Sequence, residues 1–402
     1  MNQTPTADDL RRELVDAIVT AQPVPAPVEE ALRTVHREAH LPGADLADAY
    51  KDQAVVIKDN PDGPLALSCA SVPSVVAMML AQLDVQPGDR ILEVGAGTGY
   101  NAALLAELTG PKGQVTTIDV DDEVALHART TLNNSGYSHV QVMARDGLIG
   151  APEYAPYDRI TATVGVWDVP SPWWDQLVDG GRLVLPLRWR GQTRSVALDR
   201  DGDALVCDGM ELCGFVPMVG QDGERTTAIG DGTVLLHHDQ DQQVDAARLD
   251  GVFTGEPAEE WSQTRVGGEE SFDGVWLRAS AYDDAVCRIE VTKEALEAGV
   301  RRPSVPVRTV ALVVGSSLAY LIHQRDGEDA DKPILLGAAG YGRDGAALAR
   351  SLVRFADAWG RERDAVPHLS IYPAGTAGED MPAGHIIDKT DSRLVLRYAP
   401  RG

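Results

Sequence analysis

The segment "RILEVGAGTGYNAALLAELTG", from Arg90 to Gly110, constrains the fold more than any other part of this 402-residue chain. An apolar run typical of a buried strand leads into three glycines at alternate positions, and a run typical of a helix follows. Glycines at such a turn let a ligand approach the main chain, and the start of the helix offers free backbone N–H groups. The segment therefore predicts a strand, a ligand-binding loop and a helix.

Alternating strand and helix patterns continue beyond this loop. Strands are predicted for "GQVTTIDV", "HVQVMARD", "YDRITATVGV" and "GGRLVLPLR", and helices for "DDEVALHARTTLNNSG" and "PSPWWDQLV". Such alternation predicts an α/β fold with a doubly wound, mostly parallel sheet and right-handed crossovers.

The length of the chain favours two domains. Residues 1–220 are predicted to form the first, with helices within 1–85 and a cofactor-binding core in 86–220. Within the helical part, the stretch from Leu41 to Leu67 is rich in Pro, Gly and Asp and is predicted to be irregular. Residues 221–402 combine interrupted strands with one strong helix, "DGAALARSLVRFADAWGRERDA", and are predicted to form a C-terminal α+β accessory domain.

Charge and hydropathy exclude several kinds of partner. The chain has 61 Asp and Glu against 36 Lys and Arg, a formal charge of -25 that repels nucleic acid. No long apolar run and no signal-like N-terminus is present, so no membrane partner and a cytoplasmic location are expected. The cysteines fall at no zinc-ligand spacing, so reduced thiols and no metal site are predicted; they are Cys69, Cys207, Cys213 and Cys287.

The glycine spacing separates two classes of cofactor. Gly95, Gly97 and Gly99 follow GxGxG, whereas the dinucleotide pattern GxGxxG needs a glycine where Tyr100 stands. The loop, with Thr98 between its last two glycines, therefore favours S-adenosylmethionine, and S-adenosylhomocysteine is the expected product.

Three acidic positions accompany the loop. Glu93 precedes the first glycine, where an anion favours a sulfonium ligand. Asp119 ends the next strand and is predicted to accept both ribose hydroxyls. Asp146 and Gly147 end the third strand and are predicted to hold the adenine amino group. Each is also typical of an ordinary turn or cap, but together and in this order they predict the cofactor site.

With these sites placed, residues from about 9 to 218 resemble the protein-L-isoaspartate O-methyltransferase family. The resemblance rests on "VHREAHLP", "AYKD", "SVPSVVAMM", "ILEVGAGTGYNAALLA", "RDGLIGAPEYAPYDRI", "GGRLVLPL" and "FVPM". It implies a Rossmann-like class I S-adenosylmethionine methyltransferase that esterifies a carboxylate. It also implies that Ser71 lies beside the methyl group and hydrogen-bonds the acceptor; without the resemblance, a helix N-cap is the more typical role of Ser71.

The chain departs from the family's GQTISxPH segment, because the Gln, Thr and His are absent between Leu67 and Ser74. Ser68, Cys69 and Ser74 are therefore candidate residues of an altered acceptor pocket. The added residues 221–402 are a second departure. They resemble longer homologues encoded with ribosomally made, modified peptides such as lanthipeptides, lasso peptides and graspetides. In those systems an ordinary Asp is esterified, and the next backbone amide expels methanol to close an aspartimide.

Three main hypotheses follow, with a peptide or protein as the expected partner, and a fourth, a tRNA methyltransferase of similar fold, is disfavoured by the charge of -25. The first is an aspartyl O-methyltransferase that matures such a modified peptide, with the added domain grasping the substrate. The second is a repair enzyme that methylates isoaspartyl residues of damaged proteins, and the third is a cofactor-binding scaffold without turnover. Trp167, Trp173 and Trp174 are equally compatible with a peptide groove and with the edge of the core.

Overall fold

The computed structural model describes residues 5–61, 66–230, 232–268, 270–325 and 332–399. Backbone contacts divide the chain into two compact units. The first comprises Met1–Leu187 and Thr193–Gln221, and the second comprises Arg188–Gln192 and Asp222–Gly402.

The first unit contains seven helices among its described residues: α1 (Ala7–Ala21), α2 (Ala26–Thr34), α3 (Leu46–Ala49), α4 (Pro73–Leu83), α5 (Tyr100–Thr109), α6 (Asp122–Asn134) and α7 (Ser171–Gln176). Its strands are β1 (Val55–Lys58), β2 (Ser68–Ala70), β3 (Arg90–Val94), β4 (Gln114–Asp119), β5 (Gln141–Ala144), β6 (Tyr157–Ala162), β7 (Leu177–Trp189), β8 (Gln192–Asp201) and β9 (Ala204–Leu212).

The main sheet of this unit has the strand order β9-β8-β7-β6-β3-β4-β5. The strands from β7 to β5 are parallel, with β3 between β4 on one side and β6 on the other. The predicted doubly wound α/β sheet is thus confirmed. The strand order reverses beside β3, and in such sheets ligands bind at the carboxyl ends of the strands at this point.

The sequence pattern did not predict two strands at the edge of this sheet. β8 and β9 pair in antiparallel register, from Arg194 opposite Leu212 to Asp201 opposite Ala204. A hairpin of this kind follows the parallel strands without a helix between its members, so the βα pattern gave no sign of it.

The stretch from Leu41 to Leu67 is more ordered than predicted. It contains α3 and β1, and β1 pairs with β2 by placing Val55 opposite Ala70 and Val56 opposite Cys69. The prediction of an irregular segment was therefore wrong for these two elements, because β1 is stabilised by a partner further along the chain. Residues 62–65 of that stretch lie outside the described residues.

The helix after the glycine loop is enclosed by the core. Ala102, Ala103, Leu104 and Leu105 of α5 are all fully buried, as are the apolar side chains of β3. An almost continuous apolar sequence from Ala102 to Ala106 suits such a helix, because these residues are buried on every face of its middle turn. Burial fixes both ends of the loop and so holds its backbone in place.

The second unit is built around an antiparallel sheet. Its strands are β10 (Glu224–Ile229), β11 (Val234–Asp239), β12 (Ala258–Val266), β13 (Val286–Val291), β14 (Thr309–Val314), β15 (Ser317–Arg325), β16 (Ile334–Tyr341), β17 (His368–Pro373), β18 (His385–Asp388) and β19 (Ser392–Arg397). Its helices are α8 (Gly274–Ser280), α9 (Lys293–Glu297) and α10 (Gly345–Arg361). Seven strands follow the order β10-β11-β13-β14-β15-β16-β12, while β19 pairs with both β17 and β18.

Both faces of the seven-stranded sheet are covered. Leu318, Tyr320 and Ile322 of β15 pack into one apolar cluster, and Ala319 and Leu321 into another. This alternation follows the two-residue period of a strand. The second cluster includes the buried face of α10, the helix that the sequence predicted for this region.

A buried ion cluster fixes the segment Arg188–Gln192 within the second unit. The guanidinium of Arg190, only 1% exposed, pairs with Asp241 at 2.7 Å, with Asp284 at 3.0 Å and with Asp239 at 3.3 Å. Several partners are needed here, because a buried charge without compensation destabilises a fold strongly.

Among the described residues, no helix combines the length and the apolar composition that crossing a membrane requires.

Candidate cofactor and acceptor site

A cavity of about 450 Å³ lies in the first unit, bordered by the ends of β3, β4 and β6. The glycine loop, the segment from β2 into α4 and residues 214–219 form its walls. The predicted site residues that line it are Ser68, Cys69, Ser71, Glu93, Gly95, Gly97, Thr98, Asp119 and Gly147. Those that do not line it are Ser74, Gly99 and Asp146. The volume is in the range of small-molecule sites.

Gly95 is the most constrained position of the loop. Its φ of +104° is unfavourable for any residue with a side chain, and a Cβ there would lie 2.5 Å from Thr163 Oγ1. Its N–H donates to the carbonyl of Ile118 at 2.8 Å, and the N–H of Ala96 donates to the same oxygen at 3.0 Å. The first turn of the loop is thereby fastened to the end of β4.

The other two glycines have different roles. Gly97 has a φ of +51°, and the nearest atom to a Cβ placed there is the carbonyl oxygen of Cys69 at 3.8 Å. It therefore leaves open space at the cavity wall. Gly99 packs against α6 instead, since a Cβ there would lie 3.0 Å from Leu132 Cγ and 3.1 Å from the carbonyl oxygen of Ala128. Its role is close packing of the loop.

Glu93 is fully buried at the inner end of the cavity. Its two carboxyl oxygens accept hydrogen bonds from Asn101 Nδ2 at 2.7 Å and from Thr117 Oγ1 at 2.6 Å. Burial raises its pKa from 4.5 to about 7, although these two hydrogen bonds oppose the shift. The Glu93 carboxyl therefore gains or loses its proton close to pH 7. A nearby cation would favour its ionised form.

Asp119 ends β4 and faces the loop. Its Oδ2 accepts from the N–H of Gly97 at 3.2 Å, and its Oδ1 accepts from the N–H of Asp121 at 3.2 Å. Burial raises the pKa of this carboxyl as well. A carboxylate has about four acceptor positions, so oxygen lone pairs are left for a pair of ligand hydroxyls.

Asp146 and Gly147 were predicted to act together, but their surroundings in the structure differ. Asp146 Oδ1 accepts the N–H of Leu148 at 2.9 Å, so this carboxyl serves the turn. Gly147 borders the cavity, and a Cβ there would lie 2.7 Å from both Met218 Cε and Val94 Cγ1. Its carbonyl accepts from Trp173 Nε1 at 2.9 Å.

The tryptophans after β6 belong to the core. Trp167, Trp173 and Trp174 are all buried, at 7% exposure or less. Of the two roles compatible with the sequence, the peptide groove is therefore wrong. Trp173 instead holds the Gly147 turn against the cavity.

The acceptor side of the cavity is formed by β2 and the start of α4. The N-cap of α4 is Val72, and no side chain caps this helix, so the N-cap role considered for Ser71 is wrong. Ser71 is partly exposed and lines the cavity. Ser74 lies outside it, and its N–H donates to Asp52 Oδ1 at 2.8 Å. Burial raises the pKa of the Cys69 thiol.

Sequence reasoning missed two charged residues that line the cavity, Arg37 and Arg145. Arg37 lines the cavity although it is only 1% exposed. The residue stands in the "VHREAHLP" stretch, but arginines are seldom fully buried and nothing in the local pattern indicated that this one would be. The wall formed by residues 214–219 was also missed as a site element, because it contains only glycine, proline and apolar side chains.

The outer edge of the cavity is apolar. Leu67, Val120 and Val219 line it and are 46%, 50% and 62% exposed, respectively. We call these three side chains the apolar rim. Exposed aliphatic side chains around an opening favour contact with a second molecule that is itself partly apolar.

The described residues fit S-adenosylmethionine. Asp119 offers acceptors for ribose hydroxyls, Gly97 leaves the loop backbone open, and Glu93 and Asp119 supply the negative charge that a sulfonium favours. The neighbouring walls, from Val72 to Met79, are mostly apolar. A polar inner end and an apolar outer part suit a nucleoside that carries a reactive methyl group.

Comparison with known proteins gives consistent matches. The family model described as "Protein-L-isoaspartate(D-aspartate) O-methyltransferase" matches residues 11–223. A protein-L-isoaspartate O-methyltransferase of Methanocella arvoryzae is 38% identical over 189 residues, which are 47% of this chain and 96% of that protein. One of Hyperthermus butylicus is 37% identical over 228 residues, which are 54% of this chain and 91% of that protein.

A solved structure described as a protein-L-isoaspartate O-methyltransferase covers 96% of this chain and 98% of its own. Its TM-score is 0.50 and its sequence identity is 20%, so it informs on the fold. The predicted Rossmann-like methyltransferase fold is confirmed. An extension beyond residue 223 also occurs in that solved chain, so the added unit does not by itself set this protein apart.

Proposed function

This chain belongs to the protein-L-isoaspartate(D-aspartate) O-methyltransferase family, and from that premise we propose that it methylates the free α-carboxylate of isoaspartyl residues in peptides or proteins. It is an S-adenosylmethionine-dependent carboxyl O-methyltransferase. The observation that carries the proposal is the single cavity on which the glycine loop, Asp119, Glu93 and Ser71 converge.

The acceptor needs little activation. S-adenosylmethionine supplies an electrophilic methyl group, and a carboxylate with an ordinary pKa of ~3.9 is already an anion at neutral pH. No general base is required. The task of the chain is to position the acceptor oxygen, and the hydroxyl of Ser71 is the donor that we assign to it. Its side chain forms no hydrogen bond with the described residues, so it is available to the acceptor.

The apolar walls have an electrostatic consequence. A carboxylate and a sulfonium lose their opposite charges as the methyl group moves, so the transition state is less polar than the reactants. Val72, Val76 and Met79 make one wall of this part of the cavity apolar. A dry site therefore favours the transition state over the separated, hydrated ions.

Two further observations support a peptide substrate. The apolar rim offers contact area to residues that flank the acceptor. The formal charge of -25 opposes binding of nucleic acid, the substrate of other methyltransferases.

Esterification of a normal Asp in a ribosomally made, modified peptide is the second candidate. It is favoured by the altered acceptor segment, of which Ser68 and Cys69 line the cavity. Ser74, the third altered position, lies outside the cavity, and the added unit has a counterpart in a solved isoaspartate methyltransferase. The isoaspartyl substrate therefore has the stronger support.

The deciding experiment is mass spectrometry after incubation with S-adenosylmethionine. It compares three substrates: a linear isoaspartyl peptide, the same peptide with normal Asp, and a side-chain-crosslinked peptide with normal Asp. We expect the mass of one added CH₂ on the isoaspartyl peptide. Methylation of the crosslinked normal-Asp peptide instead, followed by loss of methanol, would establish the second candidate. Cofactor binding with no methylated peptide would establish a scaffold.

A matched pair of variants tests the acceptor residue. Ser71→Ala removes a hydroxyl from the cavity wall, whereas Ser74→Ala makes the same change three residues later, outside it. Losing a hydrogen bond to a charged group lowers kcat/KM by about tenfold to a hundredfold. We expect that loss for Ser71→Ala and almost none for Ser74→Ala. Equal effects of the two variants would remove Ser71 from the mechanism.

A further inference from the structure

Arg37 is a buried cation whose hydrogen bonds are incomplete. Its Nε donates to the carbonyl of Ala49 and its Nη2 donates to the carbonyl of Ser71, both at 2.9 Å. Its Nη1 is buried and finds no hydrogen-bond partner among the described residues. A guanidinium that is 1% exposed thus borders the cavity with one donor group unused.

The charge of Arg37 also lacks a paired anion. Within the described ranges no carboxylate forms an ion pair with it, and both of its hydrogen-bond acceptors are neutral carbonyls. Asp52 attracts it only through space and accepts the N–H of Ser74 instead. The ring of Tyr100, 5.0 Å from Cζ, gives a partial compensation.

Such an arrangement is unfavourable in the ligand-free protein. A buried charge without a partner carries a large desolvation cost, which an anion in the same cavity would offset. Glu93 and Asp119 have other partners, in Thr117 and Asn101 and in the backbone of the glycine loop. No other carboxylate among the described residues lines the cavity, which points to a ligand as the source of the anion.

The position of Arg37 indicates which ligand group this is. Its Nη2 holds the backbone carbonyl of Ser71, the residue whose hydroxyl we assign to the acceptor. The unused Nη1 belongs to the same planar guanidinium. Guanidinium groups bind carboxylates well because their N–H groups match the spacing of the two oxygens.

We propose that Arg37 binds the substrate's acceptor carboxylate, with Ser71 as its neighbour, and so selects a charged acceptor over a neutral one. The inference rests on the proposed function. In the reaction, one carboxylate oxygen forms a bond to the methyl carbon, the carbon–sulfur bond breaks and its electron pair stays on sulfur. The ester is neutral, so its attraction to Arg37 is lost and product release is favoured.

This role has a kinetic signature. Pairing with Arg37 stabilises the charged substrate more than the transition state, in which the acceptor charge is being neutralised. Loss of Arg37 should therefore raise KM by about tenfold or more, while kcat stays the same or rises by less than about threefold. A residue that only shaped the fold would lower both the stability and the affinity for cofactor.

The test measures binding without turnover. With S-adenosylhomocysteine bound, calorimetry compares an isoaspartyl peptide with the same peptide carrying a carboxamide in place of the α-carboxylate. We expect the wild-type protein to prefer the carboxylate by about tenfold or more, as for a hydrogen bond to a charged group. Arg37→Gln should abolish this preference, and Arg37→Lys, which keeps the charge, should retain part of it. Arg33→Gln, on α2 and outside the cavity, is the matched control.

The outcomes separate the inference from the proposed function. If the wild-type protein methylates the isoaspartyl peptide but Arg37→Gln keeps the preference for carboxylate, the inference fails and the function stands. Loss of S-adenosylhomocysteine binding in both Arg37 variants would also overturn it, because the role would be structural. If the isoaspartyl peptide is not methylated, the proposed function fails. The calorimetric comparison of carboxylate with carboxamide is then made on the normal-Asp peptide that the protein does methylate, and its result decides the role of Arg37.

Discussion

Glu93 and Asp119 border one cavity but differ in their exposure to water. Glu93 is fully buried, whereas Asp119 is partly exposed and is bound by backbone N–H groups. The inner carboxyl therefore responds to pH close to neutrality. The outer one is predicted to contribute acceptors for a ligand.

The raised pKa of Glu93 predicts a pH dependence of stability. Between its ordinary pKa of 4.5 and about 7, the folded state binds more protons at this site than the unfolded state. The contribution of this carboxyl to stability therefore falls as pH rises through that window. We expect the free energy of unfolding of the ligand-free protein to fall by up to about 3 kcal/mol relative to Glu93→Gln between about pH 5 and pH 8.

Urea titrations of both proteins across this range provide the measurement. Glu13→Gln, an exposed position on α1, is the control and should follow the wild-type curve. If the Glu93→Gln curve also ran parallel to the wild-type curve, Glu93 would not be the titrating group.

Asp119 is predicted to carry part of the cofactor affinity. Asp119→Asn keeps an oxygen for the Gly97 N–H but removes the charge and some of the acceptor capacity. Because a hydrogen bond to a charged group is worth about 1.5–3 kcal/mol, we expect S-adenosylhomocysteine to bind roughly tenfold to a hundredfold more weakly. Calorimetry measures this, with Asp122→Asn, exposed in the first turn of α6, as the control. Unchanged affinity would assign the ribose to another residue.

At the scale of elements, the glycine loop is held by its surroundings as much as by its own sequence. Backbone bonds to Ile118 fasten its start, and α6 packs against Gly99 at its end. Gly97 lies between these two anchors. The loop is therefore rigid at both ends and open in the middle, as a site for direct backbone contact requires.

Gly95 and Gly97 should respond differently to substitution by alanine. Gly97→Ala has room for its Cβ and meets mainly left-handed backbone strain, about 1–2 kcal/mol. Gly95→Ala combines a φ of +104° with a Cβ only 2.5 Å from Thr163 Oγ1, so we expect at least about 3 kcal/mol. Urea unfolding of the ligand-free variants compares them.

A double variant identifies the origin of this cost. Thr163→Ala, combined with Gly95→Ala, removes the oxygen that the new Cβ would contact. The double variant should recover the stability lost through this steric contact, while the stability lost through the unfavourable φ of residue 95 is not recovered. If Gly95→Ala destabilised no more than Gly97→Ala, the close approach of Thr163 would not limit this position.

For the whole molecule, we expect repulsion among the excess negative charges to affect the salt dependence of stability more than the surface ion pairs do. Salt weakens exposed pairs, which lowers stability slightly, but it also screens the mutual repulsion behind a formal charge of -25. Because acidic residues outnumber basic ones by 61 to 36, we expect the second effect to dominate.

The expected result is a rise of the thermal unfolding midpoint between about 0.02 M and 0.5 M sodium chloride, a range over which the screening length falls severalfold. Potassium chloride at equal ionic strength should give the same rise, since the effect is not specific to one ion. A midpoint that stays constant or falls would mean that ion pairs outweigh the net repulsion.

The sequence alone predicted the architecture of the first unit and most of the residues on the glycine-loop side of the cavity. The period of the apolar residues indicated the parallel strands and their helices, and the GxGxG spacing indicated the loop. Glu93, Gly95, Gly97 and Asp119 were found because each stands at a strand end or turn, and parallel strands bring such ends to one edge of the sheet. These are local signals, repeated in a fixed order.

Features that depend on distant parts of the chain became visible only in the folded structure. It placed Ser74 and Asp146 outside the cavity, enclosed the tryptophans in the core, and added β8 and β9 to the sheet edge. It also buried Arg37 against the carbonyls of Ala49 and Ser71 without a paired anion among the described residues. Burial and pairing result from packing between segments far apart in sequence, so no local pattern contains them.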